Sequence, residues 1–274
     1  MSTQAARAPS PQSPILLREM VGPIAVLTLN RPAARNSLST AMIARLHAEL
    51  DDIGNDKAIR GVVLAANGPA FSAGHDMKEL TARRTDPDRG RAFFAEAMNA
   101  CSAMMQAIVR LPKPVVAAVQ GIATAAGCQL VASCDLAIAS EAASFATPGV
   151  DIGLFCSTPM VALSRNVPRK QAMEMLLTGD MIDGREALKI GLVNRLAPSI
   201  QVMEETLALA SEIIAKSPLT LKIGKEAFYR QTELGLAEAY TYASKVMAEN
   251  MMALDAAEGI DAFLQKRKPE WKGC

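Results

Sequence analysis

Residues 113–130, KPVVAAVQGIATAAGCQL, constrain the fold more than any other stretch of the chain. Lys113-Pro114 opens a run of five apolar residues, Val115 to Val119, and Gly121 closes it. A short apolar run bounded by Pro and Gly reads as a strand buried on both faces, the pattern of a parallel sheet. Small residues Ala123 to Gly127 follow, and Cys128-Gln129-Leu130-Val131 then resumes an apolar pattern that can wind as a helix. A strand, a small-residue turn and a helix start leave backbone N–H groups without partners at the helix N-terminus. Small side chains let another molecule come close to them. The functional reading is an anion or oxyanion site, and a tightly packed turn with no ligand accounts for the same residues.

A second stretch has the same construction. Residues 62–80, VVLAANGPAFSAGHDMKEL, hold an apolar strand, a turn at Asn67-Gly68-Pro69, and small residues Ser72, Ala73 and Gly74 before His75. Two strands that each end in a small-residue elbow can bring two N–H donors to one point, which is what an oxyanion hole requires. The spacing leaves open whether they meet.

The residues in these stretches resemble a known family. FSAGHDMKEL (71–80) and QGIATAAGCQLVASCDLAIAS (120–140) resemble the two signature blocks of the enoyl-CoA hydratase/isomerase, or crotonase, family. Leu29-Asn30-Arg31-Pro32 with Asn36 is similar to its N-terminal block, and residues 179–196 and 262–273 to its later ones. GVDIGLFCSTP (149–159) and VPRKQAMEMLLTGD (167–180) resemble its domain-containing protein 3 subgroup. The resemblance spans roughly residues 14 to 273, in family order. It implies an α/β fold, a crotonase-like spiral of ββα units with a C-terminal helical layer. The strand–turn elements at 24–29, 62–66, 115–119 and 136–139 are weakly self-similar, as such a spiral requires.

Bulk properties narrow the classes of partner. A chain of 274 residues that is 50% apolar can bury a large core. A net charge of +1 and 4% aromatic residues give neither the pull nor the stacking surface that nucleic acid needs. Five cysteines without a CxxC pair read as reduced, buried thiols, and two histidines make a histidine-based metal site improbable. No uninterrupted apolar run reaches the roughly 18 residues of a membrane span. Residues 1–13 read as a disordered tail without an apolar targeting region. The expectation is a cytoplasmic protein, or a mitochondrial one if the source is eukaryotic, that binds neither nucleic acid nor membrane.

Along the chain, strands are expected at 15–19 and 24–29, then a helix capped by Ser39 or Thr40 running to about Ile53 with Met42, Leu46 and Leu50 inward. Arg31 and Arg35 flank the turn between them; they can meet a phosphate, and solvated loop charges account for them equally well. His47 reads as a boundary histidine. Residues 81–91, TARRTDPDRGR, read as a mobile connection of the kind that forms lids. A helix from about Ala92 to Leu111 presents Phe94, Met98, Cys101, Met105 and Ile108 on one face. From Pro159 onward the pattern is helical nearly to the end. The expected division is a core over 14–200 and a C-terminal helical region over 201–274, which the family resemblance makes the trimerisation region of a homotrimer or dimer of trimers.

The resemblance also assigns roles. The family holds a thioester oxygen between two backbone N–H groups and stabilises an enolate. The matching donors are His75 and Ala126, where Ala126 replaces the usual Gly. Hydratases of the family use two glutamates for water and its proton, a task suited to paired carboxylates. Those positions fall on Gln129 and Gly149, and an amide and a glycine cannot exchange protons in that way. Asp151 and Glu79 are the acids near enough in sequence to substitute. The His75 imidazole is a further titrating group. Coenzyme A, part of the substrate and not a separate cofactor, is assigned to Ala34, Arg35, Ala73, Asp76, Met77, Phe263 and Lys266. The expected function is an acyl-CoA enzyme of fatty acyl metabolism, hydratase-like. The alternatives are a malonyl-type decarboxylase or thioesterase, and a non-catalytic acyl-CoA-binding or assembly protein.

Overall fold

The computed structural model describes residues 14–274, so the expectation for the first thirteen falls outside the described residues. Ten strands are present among the described residues: β1 (Leu16–Val21), β2 (Ile24–Leu29), β3 (Gly61–Ala66), β4 (Ala70–Ser72), β5 (Val115–Val119), β6 (Ile122–Thr124), β7 (Leu136–Ser140), β8 (Ser144–Ala146), β9 (Ile182–Asp183) and β10 (Arg195–Ala197). The helices are α1 (Thr40–Asn55), α2 (Met77–Ala82), α3 (Arg91–Arg110), α4 (Ala126–Ser133), α5 (Pro159–Asn166), α6 (Arg169–Thr178), α7 (Gly184–Lys189), α8 (Val202–Ile214), α9 (Pro218–Gln231), α10 (Leu236–Met251) and α11 (Leu254–Leu264).

The strands sort into two sheets, one of order β1-β2-β3-β5-β7-β10 and one of order β4-β6-β8-β9. Each spiral turn places one strand in each sheet, β3 with β4, β5 with β6, β7 with β8, and then enters a helix or a 3-10 turn. The central pairs β2–β3, β3–β5 and β5–β7 are parallel. All five residues of β5 are buried, because both faces of the large sheet are covered. Ala117 and Val119 join Leu27, Leu64 and the apolar stripe of α1 on one face. Val116 and Ala118 join Val26, Val63 and residues Val202, Leu209, Ala210 and Ile214 of α8 on the other. Helix α8 therefore belongs to the core, although the sequence division put it with the C-terminal helices.

Ser39 caps α1 by accepting from the Met42 N–H at 3.2 Å. The buried face of α3 is Ala97, Cys101, Met104, Met105 and Ile108, slightly rotated from the expected stripe, and it packs on α1. By length and composition alone α3 is apolar enough to cross a membrane, but its apolar stripe is one-sided and directed into this core. The connection at 81–91 is structured. A 3-10 turn at Arg83–Thr85 extends α2, the Arg83 guanidinium lies 4.8 Å over the Phe93 ring, and Asp88 accepts from Gly90 and Ala92 N–H at 2.9 and 2.8 Å. Its polarity reflects the capping of α3. Of the five cysteines, Cys101, Cys128, Cys134 and Cys156 are buried and free, whereas Cys274 is exposed.

Candidate functional site

The site is built by the small sheet. Strands β4 and β6 are parallel, with Ser72 opposite Ala123, and β6 and β8 are parallel, with Ala123 opposite Phe145. The three chains therefore leave the same end of the sheet side by side. Three residues past that row stand His75 on the first chain and Ala126 on the second, and Gly149 follows on the third. Two glycines permit the closeness. A Cβ at Gly121 would lie 2.3 Å from the Pro69 carbonyl oxygen, and one at Gly127 would lie 2.1 Å from that of Ser72.

The elbows touch at Gly74, whose φ of +84° places it in the left-handed region; a Cβ there would sit 3.1 Å from the Ala126 nitrogen. Leu38 donates to the Gly74 carbonyl at 2.8 Å and accepts from the Asp76 N–H at 3.3 Å. Successive amides of an extended segment face opposite ways, so the His75 N–H points away from Leu38. Ala126 is the first residue of α4, and its N–H has no acceptor within the helix. The backbone strain falls on Ala125, one residue before Ala126. Ala125 has φ 50° and ψ −119°, while Ala126 is helical and fully buried.

Two polar side chains of the elbows each hold a buried atom without a partner. Gln129, 5% exposed, has its Oε1 buried without a hydrogen-bond partner. His75 Nε2 is likewise buried and unpaired, and burial lowers the imidazole pKa while Glu79 opposes the shift weakly. Neither substitute acid reaches the donors. Glu79 Oε2 accepts from the Thr40 N–H at 2.9 Å, and its other oxygen from the Thr40 hydroxyl, so this carboxylate caps α1. Asp151 is exposed, and its carboxylate lies against Gly179 at the end of α6. A 3-10 turn spans Pro148–Ile152, pinned to α6 by the Thr147 hydroxyl donating to the Met175 carbonyl at 2.8 Å.

The N-terminal block is the frame behind the first elbow. Asn36 donates to the Asn67 and Ala70 carbonyls at 2.8 Å each, and the Arg35 carbonyl accepts from the Ala73 N–H at 3.0 Å. Arg31 is occupied by Asp76 at 3.0 Å and by the Ser37 carbonyl, which removes it as a free phosphate ligand. Burial would raise the Asp76 carboxyl, but hydrogen bonds from Arg31 and Ser37 and the α2 N-terminus hold it below the usual range. Arg35 and Met77 are exposed, and Ala34 and Ala73 are half-buried. Phe263 is 81% exposed and Lys266 also faces outward. Helix α11 packs on α9 and α10, so these two residues are not brought to the elbows within one chain. Among the described residues, no three His, Cys, Asp or Glu side chains converge as a metal site would require.

Sequence reasoning missed Gln120, whose amide donates to the Gly68 and Ala70 carbonyls and ties β5 to the first elbow. It also missed Cys156. Only the turn at Gly153, with φ +75°, hints that this residue folds back on Gly149.

Comparisons with known proteins agree with this architecture. Residues 19–274 match the family model described as enoyl-CoA hydratase/isomerase. The human enoyl-CoA hydratase domain-containing protein 3, mitochondrial, is 46% identical over 267 residues, covering 97% of this chain and 86% of the relative. Its name fits the mitochondrial alternative stated for a eukaryotic source. A crystal structure of a Mycobacterium smegmatis enoyl-CoA hydratase superposes with a TM-score of 0.90 at 49% identity, covering 94% of this chain and 99% of that one. A crystal structure of the human domain-containing protein 3 gives 0.89 at 45%, over 94% and 100%. On this evidence the chain belongs to the enoyl-CoA hydratase/isomerase family and has its crotonase fold.

Proposed function

We propose that the chain binds a fatty acyl thioester of coenzyme A with the thioester oxygen between the His75 and Ala126 N–H groups, and stabilises an enolate there. The observation that carries this reading is the parallel pairing of β4, β6 and β8, which sets the two elbows in contact at Gly74. Preorganised donors of this kind act where charge develops, and each is worth roughly 10²–10³ in rate. Positions 129 and 149 carry no acid, and Glu79 and Asp151 are held elsewhere, so hydration by paired acids is weak or absent. An enolate reaction that needs no such pair, decarboxylation of a malonyl-type thioester, is favoured by the neutral amide of Gln129, which lacks the charge that would repel a substrate carboxylate.

The chain is further proposed to act as a homotrimer or dimer of trimers. Leu236, Met252 and Phe263 in the C-terminal helical region are 78–81% exposed, and large apolar exposure of this kind marks association surfaces. Sedimentation at micromolar concentration checks this, and a monomer would overturn it.

The deciding experiment measures crotonyl-CoA hydration together with binding of acyl-CoA thioesters. Binding with hydration near background, and turnover of malonyl-type thioesters, supports the reading. Fast hydration would show that an acid/base group operates from elsewhere. Binding without turnover of any thioester would identify a non-catalytic binder.

A further inference from the structure

Gly149 is buried, and what surrounds its α-carbon is specific. A Cβ there would lie 2.9 Å from Cys156 Sγ, 3.0 Å from the Leu154 carbonyl oxygen and 3.2 Å from the Cys156 nitrogen. The segment after the 3-10 turn doubles back at Gly153, and the Leu154 N–H donates to the Gly149 carbonyl at 2.9 Å. The Met160 N–H donates to the Cys156 carbonyl at 2.9 Å, which fixes the fold-back to the start of α5. Cys156 is 7% exposed and packs in the same core cluster as Ala126 and Cys128.

We propose that Cys156 is a specificity-determining residue: its thiol is the nearest of the groups, with the Leu154 carbonyl oxygen and its own nitrogen, that fill the volume into which a side chain at position 149 would project, and so helps keep any acid/base group at 149 out of the site. The proposal rests on the acyl-thioester reading given above. The chain then withholds water chemistry twice, by an amide at Gln129 and by a closed position at Gly149. Burial raises the Cys156 thiol above its usual pKa, opposed only by the Gly149 N–H. A neutral thiol is a filler of space and not an anionic nucleophile. Asp151 cannot replace the missing group while Thr147 holds the turn to α6 and its carboxylate lies against Gly179. The substrates that suit such a site are thioesters whose enolate forms or collapses without added water.

Two measurements test this. In a thermal double-mutant cycle, Gly149→Ala in the native background is expected to lower Tm by about 4 °C or more. With Cys156→Ala already present, the same change is expected to cost at most half of that. Equal losses in both backgrounds would overturn the proposal. Hydration of crotonyl-CoA is then compared for Gln129→Glu/Gly149→Glu and for the same pair with Cys156→Ala. The triple variant is expected to exceed the double by at least about tenfold, within the roughly 10²–10⁴ that a positioned acid/base supplies. A double variant that hydrates as fast as the triple, or a triple with no gain, overturns it. Failure of the unmodified chain to bind any thioester would sink the acyl-CoA reading instead, and the thermal cycle would still report on Cys156.

Discussion

The body of the molecule and its C-terminal helices are held together by different forces. Every residue of β5 is buried, whereas α9 and α10 bury none and α11 buries only Asp255 and Ala262. The helices are attached by polar groups. The Lys225 ammonium donates to Asp135 at 2.7 Å and to the Ile108 and Lys113 carbonyls at 3.0 and 2.9 Å, and the Tyr229 hydroxyl donates to the other Asp135 oxygen at 2.9 Å. Asp255 accepts from the N–H groups of Lys272 and Gly273, and the Trp271 indole donates to the Ala215 carbonyl at 2.9 Å. Apolar burial is non-directional and makes the core stable. Hydrogen bonds have fixed geometry, and here they set where the C-terminal helices lie while leaving their apolar side chains facing outward.

The sharpest way to break this contrast is Lys225→Ala. It removes the counter-ion of the Asp135 carboxylate, which is only 16% exposed, and is expected to cost about 3–5 kcal/mol in urea unfolding. A cost under about 1 kcal/mol would show that the helices are held by something else. Within the body, Gly127→Ala drives a methyl into the Ser72 carbonyl and is expected to cost about 1–3 kcal/mol and to abolish thioester binding. Unaltered binding would mean that the elbows tolerate separation.

Smaller effects probe the strain and charge of the same elbows. Ala125→Gly removes left-handed strain of roughly 1–3 kcal/mol and adds unfolded-chain entropy of roughly 0.4–1 kcal/mol. The net expectation is a gain of about 1 kcal/mol in stability, and a loss would contradict the observed φ of 50°. The smallest effect is in pH dependence. Burial lowers the His75 pKa from its ordinary 6.5, so the unfolded chain binds more protons as pH falls. The contribution of His75 to stability is therefore complete above about pH 6.5 and is lost as pH drops below it. A Tm–pH profile of His75→Gln is expected to be flatter than that of the unmodified chain between pH 5 and 7 (roughly the range where histidine titrates). Parallel profiles would place the imidazole in solvent.

Much of the spiral was legible because its elements are local. Pro114 and Gly121 bracket β5 as the sequence suggested, and Ser39 caps α1. Both elbows are visible as small-residue runs. Their contact was not legible, since it depends on Ser72 pairing with Ala123 across some fifty residues. The fate of the candidate acids was hidden for the same reason. Glu79 is one helical turn beyond His75, yet its carboxylate is held by Thr40, thirty-nine positions away in the chain. The polar stretch 81–91 was misjudged because capping interactions and a loose loop have similar composition.

The sequence by itself determined the buried strand between Pro114 and Gly121, the two small-residue elbows and the absence of a carboxylate at positions 129 and 149. These follow from residue type and short-range pattern, which the chain carries wherever it folds. Only the tertiary structure decided that the two elbows stand side by side, that strain lies on Ala125, and that Cys156 lies against Gly149. Those outcomes depend on which segments are pressed together by sheet pairing and core packing, and distances of about 3 Å between such segments have no signature in local sequence.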